Sequence, residues 1–564
     1  MQINLYSLRL IEILHYLCSV KFHNTKTIVE ESRKEMCGLL KRFYRCNLWL
    51  VLTALVLLTG CGRQGRQDGN NDSTAVEQVP IEQLMLPDTM YASADVVKYV
   101  VENTDSVDTP LRDLDDRYAD SSRVMTFRKN LMRNADFGGR VQGTPTTIET
   151  VWEFTTDRDT THTSHGVWGG GTGWTGQPLY ARWTDEEMQA FRSSGALTAD
   201  FGREEVFVAS LCGKGYFLNF ETGKLSRQKL DLGNVIKGTP SLDPELMNLY
   251  VGQGVARKGG VMGCEAFDLL KHQRTFYFGP DPKAWRNWGA FDSSPVVVGG
   301  YLFWPGENGT LYKYERRQGE LRRVSVMRYR VRGVAPGIES CLCVYRNYGF
   351  FCDNHGNVIC VNLNTMRPVW HYDNHDDSDG TVVCREESGV PYVYTACEVD
   401  RQGEQGICYF VKLNGLNGSR VWERQIPCKR VELTGKSLDG GIYSTPLLGL
   451  GDCADMVFVN LCRNGADHVM GQLMALNTAD GAIRYTVNYR EFAWSSPIPF
   501  LNEKSELFVM ACDAAGNIRL VQGKTGRVLC QTCMGSNFES SPIAVGNTAV
   551  VGCRGGKIYK FAIK

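Results

Sequence analysis

From about Thr150 to the C-terminus, apolar residues come in short runs bounded by turns rich in Gly, Asn and Asp. Each run is long enough for a strand and too short for a typical helix. The runs also recur as a unit. Ser540-Ser541-Pro542 opens one block, and Ser495-Ser496-Pro497 opens another, followed by Leu507 to Cys512, Asp513-Ala514-Ala515-Gly516 and Ile518 to Val521. Ser293-Ser294-Pro295 opens a third, with Tyr301 to Trp304, Asn308-Gly309 and Leu311 to Tyr314. A unit repeating every roughly 40–60 residues is the sequence signal of a β-propeller.

A second turn counts the blades. Glu221-Thr222-Gly223-Lys224, Asn477 to Gly481 and Lys524-Thr525-Gly526-Arg527 mark it clearly. Weaker forms lie at Asp268 to Gln273, Arg316 to Glu320, Asn364 to Arg367 and Asn414 to Ser419. Gly, Asn and Asp suit turn positions with positive φ. Several of these turns precede an aromatic strand, as in Val369-Trp370 and Val421-Trp422. The first apolar run, Thr150 to Thr156 around Trp152, looks like a fourth strand without its first three, whereas the last block has three strands and stops. Joining the two would close the ring and remove exposed sheet edges. The expected fold is therefore all-β: an eight-bladed propeller over 150–564, of four-stranded antiparallel blades, closed by the N- and C-terminal strands. Seven blades is the alternative, because 240–278 is weakly marked.

The N-terminal part reads differently. Lys41, Arg42 and Arg45 precede an apolar run from Leu48 to Leu58, and Leu58-Thr59-Gly60-Cys61 follows. Basic residues, a short apolar core and small residues before a cleavage point describe a secretory signal over 1–60. The run is short for a membrane span, which needs about 20 residues. The quartet resembles the bacterial lipobox, which implies lipid on Cys61, and the depth of the signal suggests Met36 as the true start. Residues 61–80 are polar and read as a flexible tether. Residues 81–149 form an N-terminal extension in which Tyr91 to Val101 and Leu111 to Met132 are expected to make short helices. The chain has 564 residues, 22% of them charged, with a formal net charge of zero. That balance points neither to nucleic acid nor to an anionic surface as partner.

The Ser-Ser-Pro starts, the Asp-x-x-Gly hairpins and the Thr-Gly turns before aromatic strands resemble the pyrroloquinoline-quinone-like propeller repeat family. With the lipobox, the chain looks like the propeller lipoproteins related to the scaffold of the outer-membrane β-barrel assembly machinery. That resemblance implies a non-catalytic, lipid-anchored scaffold on the outer membrane, binding envelope proteins, with no cofactor. The same repeats also occur in quinone-dependent dehydrogenases, so a quinone- or metal-dependent oxidoreductase is the alternative. Those enzymes often carry an adjacent Cys-Cys pair, which this chain lacks. A glycan-binding module is a second alternative.

Residue-level candidates are few. His162 to Trp183 places Trp168, Trp174 and Trp183 among glycines, which suits a loop that a partner approaches closely, and Trp is enriched at binding hot spots. Gly171 to Gly176 fits G-x-G-x-x-G but lacks the strand–helix setting of a dinucleotide site. Asp373 to Gly380 is acidic without the ligand spacing of a calcium loop, and reads as an exposed loop. Of the 20 cysteines, Cys212, Cys352, Cys397, Cys462, Cys512 and Cys553 share one repeat position. Ring neighbours about 10 Å apart should not pair, since a disulfide needs Cα atoms within about 7 Å. Cys530 and Cys533 fall in a strand, on opposite faces, and read as structural. No catalytic residue and no metal site is expected.

Overall fold

The computed structural model describes residues 80–564 apart from 105–109, 135, 164, 175, 258, 434–435 and 466–468. Cys61, the signal region and most of the tether lie outside the described residues. Eight antiparallel sheets follow one another along the chain, spanning 179–231, 241–278, 296–331, 343–373, 383–429, 447–489, 498–533 and 543–563. We number them blades 1 to 8. The weakly marked stretch at 240–278 is a full blade, so the count is eight. Ile148–Thr155 pairs antiparallel with Lys557–Ile563 and supplies the fourth strand of blade 8. The ring therefore closes as the sequence pattern predicts.

Three repeated devices explain the motifs. The first is the Asp-x-x-Gly hairpin. Asp513 Oδ1 accepts the backbone N–H groups of Ala515 and Asn517, both at 3.0 Å, while Gly516 takes φ +87°. Asp353 does the same for His355 and Asn357. The carboxylate satisfies donors that the tight turn leaves out of the ladder.

The second device joins one blade to the next through an aromatic residue and recurs at four junctions. Trp370, on the last strand of blade 4, donates its Nε1–H to Gly415 O in blade 5 at 2.8 Å, and its ring lies against Gly418. Trp422 repeats this on blade 6 through Thr478 O and Gly481. Trp152 does so from blade 8 to blade 1 through Phe220 O and Gly223, and Tyr485 from blade 6 to blade 7 through Gly523 O and Gly526. A Cβ on Gly418 would sit 2.7 Å from the ring carbons, so the turn glycine is required by contact as well as by its φ of +73°.

The third device is a belt of hydrogen bonds around the channel. In six of the eight blade-opening motifs the second residue donates its backbone N–H to the side chain of the equivalent residue one blade on. Ser294 donates to Cys341 Sγ (3.1 Å), Cys341 to Thr381 Oγ1 (3.0 Å), and Thr381 to Thr445 Oγ1 (3.3 Å). Thr445 donates to Ser496 Oγ (3.0 Å) and Ser496 to Ser541 Oγ (3.0 Å). Ser541 reaches Gly176 O (2.9 Å), and Gln177 reaches Thr239 Oγ1 (2.9 Å). These groups are buried, so each bond satisfies a donor that would otherwise be lost from water. This is why a small hydroxyl or thiol side chain holds the second position in seven of the eight motifs.

The extension departs from expectation. Tyr91 to Val101 holds only a 3-10 turn, Ala92–Val96, and then a strand, Val97–Asn103, which adds a fifth strand to blade 3 beside Glu320–Val331. The β-branched alternation around Val97 fits an open sheet edge better than a helix. The other regular helix here is the short turn Ile81–Leu84.

Leu111 to Met132 forms no helix. Asp116 and Asp120 capture backbone N–H groups two residues on, and Arg128, Lys129 and Arg133 adopt positive φ. Its backbone groups are paired instead by the innermost strands of the blades. Val124 exchanges bonds with Tyr180 of blade 1, and Met125 O accepts from Leu242 of blade 2. Tyr118 Oη accepts from Val297 N of blade 3, Leu131 O from Val344 of blade 4, and Met132 O from Cys384 of blade 5. Further on, Gly139 O accepts from Leu501 of blade 7, and Gly138 O from Gly546 of blade 8. Blade 6 is reached by a side chain, Arg128, whose guanidinium donates to Pro446 O and to Pro497 O of blade 7. Residues 118–141 are thus a plug stitched to every blade.

All sixteen cysteines among the described residues are free. The six at the shared repeat position are buried, Cys530 is half-buried and Cys533 is exposed.

Candidate functional site

The residues just before the two-residue belt motifs share one repeat position beside the belt. Around the ring these are Lys237, Asp292, Glu339, Asp379, Tyr443, Trp494 and Glu539. Four of the seven named residues are carboxylates and one is a lysine. Glu307, Asp377 and Glu398 add to them. Carboxylate oxygens of Asp292, Glu307 and Glu339 lie within 4.8 Å of one another, and so do those of Asp377, Asp379 and Glu398. Asp292, Glu339 and Asp379 together line a cavity of about 20 Å³, with Phe127 of the plug and Trp174 also in its wall. That is room for about one water molecule or one ion.

Like charges this close cannot all ionise. Burial pushes the Glu307 carboxyl well above the usual carboxylate range, and the charges of Glu339 and Asp292 add to it. Burial raises Asp379 with Glu339 beside it, Asp377 with Asp379 beside it, and Glu398 with both aspartates beside it. Lys237 is ion-paired with Asp292 and lies 3.9 Å from Glu307. Burial opposes its charge, but the surrounding carboxylates outweigh burial and hold it protonated. Asp292 Oδ1 and Glu307 Oε1 are buried without a hydrogen-bond partner.

A pH prediction follows from the signs. The folded-state pKa values of Glu307, Asp377, Asp379 and Glu398 are raised. The folded form therefore binds more protons than the unfolded chain, and their contribution to stability falls as pH rises above the ordinary carboxylate range. Denaturation midpoints should drop between pH 5 and pH 8. Asp379→Asn, which replaces a charge with an amide able to donate to Glu339, should recover about 1–2 kcal/mol at pH 8 and flatten the profile. Equal pH slopes for the two proteins would contradict this charge arrangement.

Aromatic rings stand beside the carboxylates. The Trp174 ring centroid lies 6.3 Å from that of Trp168 and 5.6 Å from that of Trp494, and Trp494 stacks on Tyr443 at 4.7 Å. Lys237 Nζ sits 4.4 Å from the Trp174 centroid, and the Arg554 guanidinium 5.3 Å from that of Trp168. Of the three tryptophans singled out from the sequence, Trp168 and Trp174 come together here. Trp183 does not join them: it is buried in blade 1, donates its Nε1–H to Glu205 Oε2 at 2.6 Å, and packs on Phe191. The acidic stretch Asp373 to Gly380 is not an exposed loop. Asp376 is fully buried and accepts backbone N–H bonds from Asp400, Arg401 and Gln402. Its neighbours Asp377 and Asp379 join the mouth. Sequence reasoning missed Trp494, Asp292, Glu339 and Glu539, although aligning the residue before each Ser-Ser-Pro or its equivalent would have gathered them.

A quinone cofactor does not fit these residues. A planar tricyclic ligand needs a pocket of about 300 Å³ or more, the space between the carboxylates is about 20 Å³, and the Trp174 ring is already covered by Lys237. The larger hollows, about 580 Å³ beside Pro427 and Arg463 and about 310 Å³ beside Arg117 and Arg316, are lined by other residues.

Fold and mouth together define a closed eight-bladed β-propeller with one plugged channel. No family model matches the chain, and no curated protein matches it. Among solved structures it is similar to BamB from Moraxella catarrhalis, at 13% identity and a TM-score of 0.45, over 74% of this chain and 98% of that one. It is also similar to the computationally designed Ika8 protein (12% identity, TM-score 0.43, 66% of this chain and 96% of that one). A europium-containing methanol dehydrogenase is the third (13% identity, TM-score 0.42, 79% of this chain and 99% of that one). No function is transferred from any of the three. Among the described residues no helix is long and apolar enough to cross a membrane.

Proposed function

We propose that this protein is a non-catalytic propeller scaffold of the bacterial cell envelope, lipid-anchored at Cys61 on the outer membrane, which grips a cationic segment of a partner protein at the channel mouth and serves outer-membrane protein assembly. One observation carries the reading. Nearly every blade contributes one mouth side chain, and the set is carboxylates and aromatic rings against a single lysine. A lysine or arginine from a partner would be held by ionic bonds to the mouth carboxylates and by contact with the Trp494 ring, since Lys237 and Arg554 already lie over Trp174 and Trp168. The mouth offers no cofactor-sized space, and the plug fixes the blades as a rigid support.

The test is a pull-down from solubilised envelope with the full chain and with Asp292→Asn/Asp379→Asn. A stoichiometric partner should be recovered, and the double variant should lose at least about tenfold of it, as a desolvated charge pair implies. Recovery of no stoichiometric partner would count against the scaffold. In parallel, incubation with pyrroloquinoline quinone and calcium should leave no retained quinone, and stoichiometric retention would replace the scaffold reading with the oxidoreductase.

A further inference from the structure

Blades 4 and 5 meet at two cysteines that the repeat does not place. Cys343 opens the innermost strand of blade 4, Cys343–Tyr345, and Cys384 lies on that of blade 5, Val383–Glu387. Neither belongs to the six-residue cysteine ring. These two strands come into contact. Both residues converge on one atom of the plug: Met132 O accepts from Cys384 N at 2.9 Å and from Cys343 Sγ at 3.4 Å. The Cys343 thiol stands close enough to Cys384 to add to burial in holding the Cys384 thiol protonated, and both residues are fully buried.

We infer that Cys343 and Cys384 form a disulfide that staples blade 4 to blade 5 at the plug when the protein folds under oxidising conditions. The chemistry is thiol–disulfide exchange with a small-molecule or protein disulfide as oxidant. One cysteine thiolate attacks the oxidant's S–S bond and releases one reduced thiol. The second cysteine thiolate then attacks the mixed disulfide and releases the other. Two S–H bonds are lost and one S–S bond forms, while the oxidant takes the two electrons and two protons. Because both sulfurs are buried, the exchange belongs to the moment before the two blades close. The link differs from any bond within a blade. Cys397 and Cys408 are also near neighbours, with Cys408 Sγ 3.0 Å from Cys397 O, but they lie along adjacent paired strands of one sheet that its own ladder already holds. Cys343 and Cys384 belong to separate sheets, and no strand pairing joins blades 4 and 5.

The experiment compares the full chain made in an oxidising compartment with the same chain made in a reducing cytosol. Free thiols are blocked with N-ethylmaleimide in denaturant, and the digest is mapped by mass spectrometry. The oxidised protein should yield a peptide pair joined through Cys343 and Cys384, lighter by two hydrogens than the separate peptides. The reduced protein should yield both cysteines alkylated. Reductant should lower the thermal midpoint of the oxidised protein and leave Cys343→Ser unmoved, while that variant recovers Cys384 alkylated. Should the variant fail to fold, the peptide map of the unaltered chain decides alone. Full alkylation of both cysteines in the oxidised protein, or linkage of either to Cys352 or Cys360, overturns the inference.

Discussion

Trp370→Ala should lower the stability of the propeller by about 3–5 kcal/mol, the range for truncating a fully buried large aromatic. The ring is buried at the junction of blades 4 and 5, and its indole N–H is spent on Gly415 O. Removing it leaves a cavity, an unpaired carbonyl and a loosened blade junction at once. Gly418→Ala tests the same lock from the other side, since the new methyl would meet the ring at a backbone φ that disfavours it. The two losses should be strongly non-additive, because either change breaks one contact. Guanidinium denaturation of the two single variants and the double variant measures this. A loss under about 1 kcal/mol for Trp370→Ala would show that the junction holds without its aromatic key.

Arg128→Met should have the next largest effect, about 3 kcal/mol, from the loss of charge-assisted bonds to two buried carbonyls. The guanidinium is buried and has no carboxylate partner. It lies 2.8 Å from Pro497 O, reaches Pro446 O, and packs over Phe137. Burial pushes its pKa down to about 9, which still leaves it charged at neutral pH. Arg128 ties the plug to blade 6, so the expected signature is local. Limited proteolysis should cut within residues 118–141 at denaturant concentrations where the blades still resist. Cleavage that appears only with global unfolding would mean that the plug is held by its backbone ladder and not by Arg128.

The architecture was legible where the chain repeats itself. Ser-Ser-Pro, Asp-x-x-Gly and the Thr-Gly turn each answer a local demand: an inward N–H, a tight hairpin, a ring pressed on a turn. Those demands recur in each blade, so their residues recur at a period. The plug has no period. It crosses one blade after another at irregular intervals, and its backbone is satisfied by strands that are distant in sequence. Its apolar residues at Leu111 to Met132 therefore suggested a helix that never forms. Strand Val97–Asn103 was missed for the same reason, since the edge it covers begins more than 200 residues later. The mouth stands between these cases. Its side chains differ from blade to blade while sharing one position, so identity hid what register would have shown. Trp183 carried the opposite error: glycines nearby suggested a loop, whereas its place before the Thr184 capping box puts it against Phe191, the buried residue of the helix that follows.

Closure of blade 8 also governs when the molecule can exist at all. Glu149 and Lys564, paired at the seam, are 415 residues apart. The strand that waits, Ile148–Thr155, is made long before Lys557–Ile563, which completes the pair. Until the last segment arrives, blade 8 lacks its inner strands, the plug lacks its seat on Gly546, and the open edges invite pairing with other chains. Contacts this distant in sequence also make assembly slow. A nascent chain of this kind keeps an open sheet edge until Lys557–Ile563 has emerged, and loss of that one strand would yield an open arc in place of a ring.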